Sequence, residues 1–182
     1  MPRVVSPTAY SRRVILFGLT ALTLALPQTV EAAAPLSQAD RAFLAWDIQI
    51  EIQQQDMGRL AEKRGQTAEL RTLGAYLVDQ HQQAQQRLQG IADQLQVTLP
   101  TGLSPTHLRI QKRYASVSDA TFDKAFVRHE VGDYRYFLSH FEAASRTRNQ
   151  IIHDYCAGEI PRLKEGQTKI VTLMQAMDVG PK

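Results

Sequence analysis

Along most of this chain, apolar residues recur at steps of three, four and seven, the spacing that lines one face of a helix. The clearest run is Leu70, Leu73, Leu77, Ala84, Leu88, Ile91 and Leu95. A second run holds Phe122, Phe126, Phe137, Phe141 and Ala144. No stretch alternates as a half-buried strand does, and there is no low-complexity segment or Gly-rich phosphate loop.

Punctuation between the runs divides the chain into helices. Ser37-Gln38-Ala39-Asp40 has the form of a capping box, which predicts a first helix over about Gln38 to Arg64, stopped by Gly65. Thr67 caps a second helix, to about Gln96. "VTLPTGLSP" (Val97 to Pro105) is the main break, and Ser104-Pro105 starts a short helix to about Tyr114. Ser118 or Asp119 caps a helix over about Ala120 to Ser145. The polar turn Arg146-Thr147-Arg148-Asn149 leads into a last helix over about Gln150 to Met177. Pro161 inside it is expected to kink or split that helix. Four long amphipathic helices predict an all-α antiparallel four-helix bundle with a short extra helix in the middle connection.

The first residues carry a different signal. Arg3, Arg12 and Arg13 precede Val14 to Leu26, an almost wholly apolar run shorter than a membrane-spanning helix needs. This is the pattern of a secretory signal peptide. Val30-Glu31-Ala32 offers a cleavage site, so residues 1–32 are expected to be the signal and 33–182 the single domain. A cut after Ala34 would put Pro35 first. Ser11-Arg12-Arg13-Val14-Ile15-Leu16 also fits the twin-arginine export motif; general secretion and coincidence remain alternatives. No lipobox cysteine is near. The expected location is the periplasm, with outer-membrane association as a further option, and the mature chain is expected to have no transmembrane helix.

With residues 1–32 removed from 182, 150 remain, the size of one domain. The signal carries three of the 21 basic residues and one of the 18 acidic ones, so the net charge falls from +3 to +1. A near-neutral domain gives no argument for nucleic acid. The one cysteine, Cys156, excludes an internal disulfide. It reads as a small apolar residue at a helix interface or as half of an intermolecular disulfide.

The chemistry lies where the apolar seams are interrupted. Gln80 and His81 stand between Leu77 and Ala84, and His129, Glu130 and Asp133 stand between Phe126 and Phe137. In a bundle such groups meet in the core, where they need partners, water or a metal. Di-metal bundles use Glu-x-x-His, and none of the histidines here has Glu three residues before it. His129 and Asp133, one turn apart, would hold a single metal with help from His81; a hydrogen-bonded His–Asp pair is the other reading. Ser, His and Asp are all present, but no local motif ties them into a nucleophile–base constellation.

The segments "MGRLAEKRG" (Met57 to Gly65), "LGAYLVDQHQQAQQRLQGIADQLQVTLP" (Leu73 to Pro100), "ATFDKAFVRHEVGDYRYFLSHFEAAS" (Ala120 to Ser145) and "EIPRLKEG" (Glu159 to Gly166) resemble a ferritin-like family of bacterial envelope proteins, domain of unknown function 4142. The resemblance covers most of the mature chain, Ala39 to Met177. It implies a ferritin-like bundle, export to the periplasm and no established reaction. It also implies Asp-His in the second helix, Asp-His in the third long helix, a histidine in the last, and a Glu in the first. Here those places hold Gln80-His81, Asp133-Tyr134, Gly166 beside Glu165, and Gln54 with Asp56. Gln is a poor ligand and Gly none, so only His81 and Asp133 survive cleanly.

Two functions follow as expectations. The first is a non-catalytic exported bundle without cofactor that binds an unknown envelope protein or itself, with His81, Asp133, Tyr134, Gln80 and Gln54 as a polar core network. Exposed aromatics among Trp46, Tyr136 and Tyr155 would support it. The alternative is a ferritin-like metal-binding or redox protein with a degraded centre drawn from His81, Asp133, His129, Glu130, Tyr134 and Glu165.

Overall fold

The computed structural model describes residues 34–177; the expected signal and its cleavage site lie outside them. Five helices make up the fold: α1 (Gln38–Arg64), α2 (Ala68–Gln94), α3 (Pro105–Ala115), α4 (Asp119–Ala144) and α5 (Gln150–Ala176). Among the described residues there is no strand. The capping box at α1 is the expected one, whereas Ser118, which stands at the start of α4, makes no side-chain cap bond. Asp40 N–H donates to Ser37 Oγ at 3.1 Å while Ser37 N–H donates to Asp40 Oδ2 at 2.9 Å. Thr67, Ser104 and Asn149 accept from backbone amides at the starts of α2, α3 and α5.

Several helix features hold physical detail that periodicity misses. Gly65 stops α1 with φ −55°, an ordinary conformation. Its role is space: a β-carbon there would stand 2.7 Å from the Ala61 carbonyl oxygen. α2 ends at Gln94 rather than Gln96. Val97 N–H donates to Ala92 O at 2.8 Å and Gln96 N–H to Asp93 O at 3.2 Å, a Schellman motif. Gln96 therefore takes φ 55°, where glycine is usual. The expectation that Pro161 splits the last helix is not met by a break, since α5 runs unbroken through it. The carbonyl left without its donor belongs to Ala157, which is exposed, so water reaches it.

The contacts fix the topology. Gly58 packs on Gly74, and Glu51 meets His81, so α1 and α2 run antiparallel. Phe43 meets Phe141 and Gln54 meets Asp133, so α4 is antiparallel to α1 as well. Arg87 meets Glu159, and Phe141 meets Tyr155, which sets α5 antiparallel to α2 and α4. α2 and α4 thus point the same way, and the chain must return between them. Residues 95–118 make that return with α3 laid along α1. Gln111 Nε2 donates to Asp56, and Arg64 donates to Tyr114 O, Ala115 O and Val117 O. The result is a four-helix bundle with one long crossover. Asp123 of α4 accepts from the amides of Gln66 and Thr67, each at 2.9 Å, locking the α1–α2 turn to α4.

The core is apolar at both ends and polar in the middle. Leu44, Phe126, Phe137, Ile152 and Ile170 are essentially inaccessible, and so is Cys156, whose thiol burial pushes up to about 12. Cys156 is thus the buried apolar residue of its first reading. No described helix is long and apolar enough to cross a membrane.

Candidate functional site

Two polar clusters interrupt the core. In the first, α1 contributes Asp47 and Glu51, one turn apart. His81 comes from α2, Tyr134 from α4, and Tyr155 and Glu159 from α5; all six are buried. His81 Nδ1 lies 2.8 Å from Glu51 Oε2, and His81 Nε2 lies 3.0 Å from the Tyr134 hydroxyl. Tyr155 donates to Asp47 Oδ2 at 2.7 Å. Arg87 reaches in from α2 and closes on Glu159 with two bonds, 2.5 and 2.9 Å.

Burial sets the protonation of this cluster. It raises Asp47 well above the usual carboxylate range, helped by the nearby Glu51 charge, while the Tyr155 hydrogen bond pulls the other way. Burial also raises Glu51, with Glu159 adding repulsion and Arg87 opposing it. It lowers His81 to about 3. Burial thus favours the neutral forms of Asp47, Glu51 and His81, while Arg87 pairs with Glu159.

The second cluster lies between α1 and α4. Gln54 Nε2 donates to Asp133 Oδ2 at 3.4 Å. His129 Nε2 is 3.3 Å from the same oxygen, but the pair is misaligned and the ring nitrogen has no hydrogen-bond partner. Tyr114 of the crossover stacks on the His129 ring at 4.5 Å. Glu130 is wholly buried, and neither of its oxygens has a partner, nor does Gln54 Oε1. Burial, then the Asp133 charge, raises Glu130 well above its ordinary value. Burial also lifts Asp133 to about 7 and lowers His129 to about 4.

The residues foreseen from the sequence are thus split. His81 and Tyr134 meet in one cluster, and His129, Glu130, Asp133 and Gln54 in the other. Gln80 stays at the rim, bonded weakly to Asp79 at 3.4 Å. Glu165 joins neither. It is one position off the inward seam of Leu163, Gly166 and Ile170, so it is exposed and pairs with Lys169 at 3.3 Å. Tyr155 is not an exposed aromatic but a core residue.

The first cluster offers a metal no free imidazole. Both ring nitrogens of His81 are held by Glu51 and Tyr134. Among the described residues no three or more His, Cys, Asp or Glu side chains are grouped so as to hold an ion.

Asp47, Glu51, Arg87, Tyr155 and Glu159 escaped the sequence reading. The signal was present: Leu44, Asp47, Glu51, Gln54 and Gly58 step along one helical face, as do Ile152, Tyr155, Glu159, Leu163 and Gly166. In the first helix the many other polar residues mask that signal, and Arg87 lies off the seam of α2.

The surface offers one aromatic patch of note. Trp46 of α1 stacks on His140 of α4 at 4.6 Å, and Tyr136, 49% exposed, packs on the same histidine at 4.0 Å. The patch borders an open groove of about 900 Å³ between the start of α1, the end of α4 and the α4–α5 link.

No curated protein matches this chain. Among solved structures, a DUF305 fragment from Deinococcus radiodurans is similar in fold, with a TM-score of 0.68 at 10% identity over 79% of this chain and 99% of that one. The profile described as Domain of unknown function (DUF4142) matches residues 25–173. Covering most of the chain, it places the protein in the DUF4142 family.

Proposed function

We propose that the chain is an exported, periplasmic, non-catalytic binding protein that works through the surface of its bundle, with its polar core serving as a cofactor-free hydrogen-bonded network. The observation that carries this is the Trp46–His140–Tyr136 patch opening onto the groove. Trp, Tyr and Arg are the residue types that dominate binding energy at interfaces, and here they are gathered on one end of one face. The partner is a component of the cell envelope, in keeping with the leader-like first residues. Kinship with ferritin-like proteins rests on the one-crossover connectivity alone, and connectivity does not carry activity. The metal-binding alternative drawn from His81, Asp133, His129, Glu130, Tyr134 and Glu165 has less support, because those groups are split between two clusters and Glu165 faces solvent.

Cell fractionation and N-terminal sequencing test the location: a periplasmic chain starting near Ala33 is expected, and a cytoplasmic chain with an intact leader contradicts it. Genetic replacement tests the surface. Trp46→Ala with Tyr136→Ala is expected to behave as a deletion does, while a folded Glu130→Gln variant behaves as wild type. The reverse pattern would return function to the core.

A further inference from the structure

The groove beside Trp46 has a chemistry of its own. Its floor is small and apolar, with Ala42 and Phe43 from α1 facing Ala143 from α4, and Trp46 forms one wall. At about 900 Å³ it is in the range of small-molecule sites, roughly 300–1,000 Å³. The exposed Arg146 and Arg148 stand on its rim, and neither makes a salt bridge among the described residues. Asp40, the one acid among the lining residues, is buried beneath it and accepts from two other lining residues, Ser37 and Thr147, each at 2.7 Å, so the two arginines outnumber it at the exposed edge. The groove is therefore apolar along its length and cationic at one edge.

We infer that this groove binds a single-chain fatty acid, its acyl chain lying along the alanine and aromatic floor and its carboxylate paired with Arg146 and Arg148. Guanidinium groups bind carboxylates through charge-assisted, often bidentate hydrogen bonds. The floor is made by only the first turns of α1 and the last of α4, too short for the repeated anchors of a docked helix. The inference rests on the surface-binding reading above and names the ligand of that same face.

Trp46 is the one tryptophan in the chain, so its fluorescence reports on this groove alone. The test titrates the protein, isolated from the cells that make it and stripped of lipid, with submicellar dibromostearate, whose bromines quench a tryptophan they touch. Saturable one-to-one quenching is expected. The methyl ester is expected to bind about tenfold more weakly or worse, as is dibromostearate with the Arg146→Ala, Arg148→Ala variant, in line with losing a charged pair. Ala143→Phe, at an exposed position, fills the floor and is expected to abolish quenching in a folded protein. Absent or non-saturating quenching overturns the inference. Equal binding of acid and ester does so too, as does concentration-dependent dimerisation that hides Trp46, which would give the groove to a second copy. If quenching fails while Trp46→Ala with Tyr136→Ala still behaves as a deletion, the ligand class alone is wrong; if both fail, the surface reading falls with it.

Discussion

Gly166 lies so close to the ring of Tyr134 that a β-carbon at position 166 would stand 2.4 Å from Tyr134 Cε1 and 3.0 Å from its hydroxyl oxygen. The family resemblance implies histidine at both places. The two departures are sterically linked. A larger phenol on α4 occupies the volume that a side chain on α5 would need, and its hydroxyl caps His81 at 3.0 Å.

The first prediction tests that coupling. Gly166→Ala should destabilise the protein by about 1–3 kcal/mol, as overpacking of a filled core does. In a Tyr134→Ala background the same change should cost little. A double-mutant cycle by urea unfolding measures the difference, and additive losses would mean the two positions are independent.

The second concerns pH. Asp47, Glu51 and Glu130 are raised well above their ordinary range and Asp133 to about 7. Unfolded carboxyls lose their protons near pH 4, so the native state binds more protons above that, and stability falls as pH rises through the native values. His81 at about 3 and His129 at about 4 act oppositely. Their contribution is complete only near pH 7.5, about a unit above the unfolded imidazole value, and is lost as pH falls. Below that the two effects oppose each other, so the share of Asp133 is read as a difference between two proteins. The urea midpoint of the wild type relative to that of Asp133→Asn should fall between about pH 4 and 7. A difference that rises over that interval contradicts the raised Asp133.

The third addresses the end of α2. Gln96 holds a left-handed conformation in a Schellman motif, which costs a residue with a β-carbon about 1 kcal/mol. Gln96→Gly should raise stability by up to about that amount, read as an increase in thermal midpoint, and a loss would contradict the motif.

The fourth separates the two partners of the inter-helix ion pair. Arg87→Met leaves the buried Glu159 with only Arg162, at 3.6 Å, and should destabilise by up to about 3 kcal/mol, discounted because Arg87 is 32% exposed at its side chain. Adding Glu159→Leu should recover most of the loss. If the double variant is as unstable as the single, the pair is not what Arg87 supplies.

Much of the fold was legible because caps and seams are local. Ser37 with Asp40, Thr67, and Ser104 with Pro105 mark helix starts within a few residues, and the leucine and phenylalanine runs mark the buried faces. The core polar groups were half legible. His81 and Glu130 interrupt long apolar runs and stand out; Asp47 and Glu51 lie in a helix already rich in polar residues and do not. Their partners were not legible at all, because which helix faces which depends on the direction of the crossover. His81 meets Tyr134, and one residue of helical phase turns the neighbouring Asp133 toward Gln54 of α1 instead. Glu165 failed for the same reason: one residue of helical phase, about 100°, carries it from the core to solvent.

The central claim is that the buried polar clusters hold no resident metal ion. Elemental mass spectrometry tests it on the protein isolated natively without chelators, beside the His81→Ala, Asp133→Ala double variant. Only trace metal, equal in both, is predicted. Near-stoichiometric iron, zinc, manganese or copper that disappears in the variant would contradict the claim and make the core a metal centre.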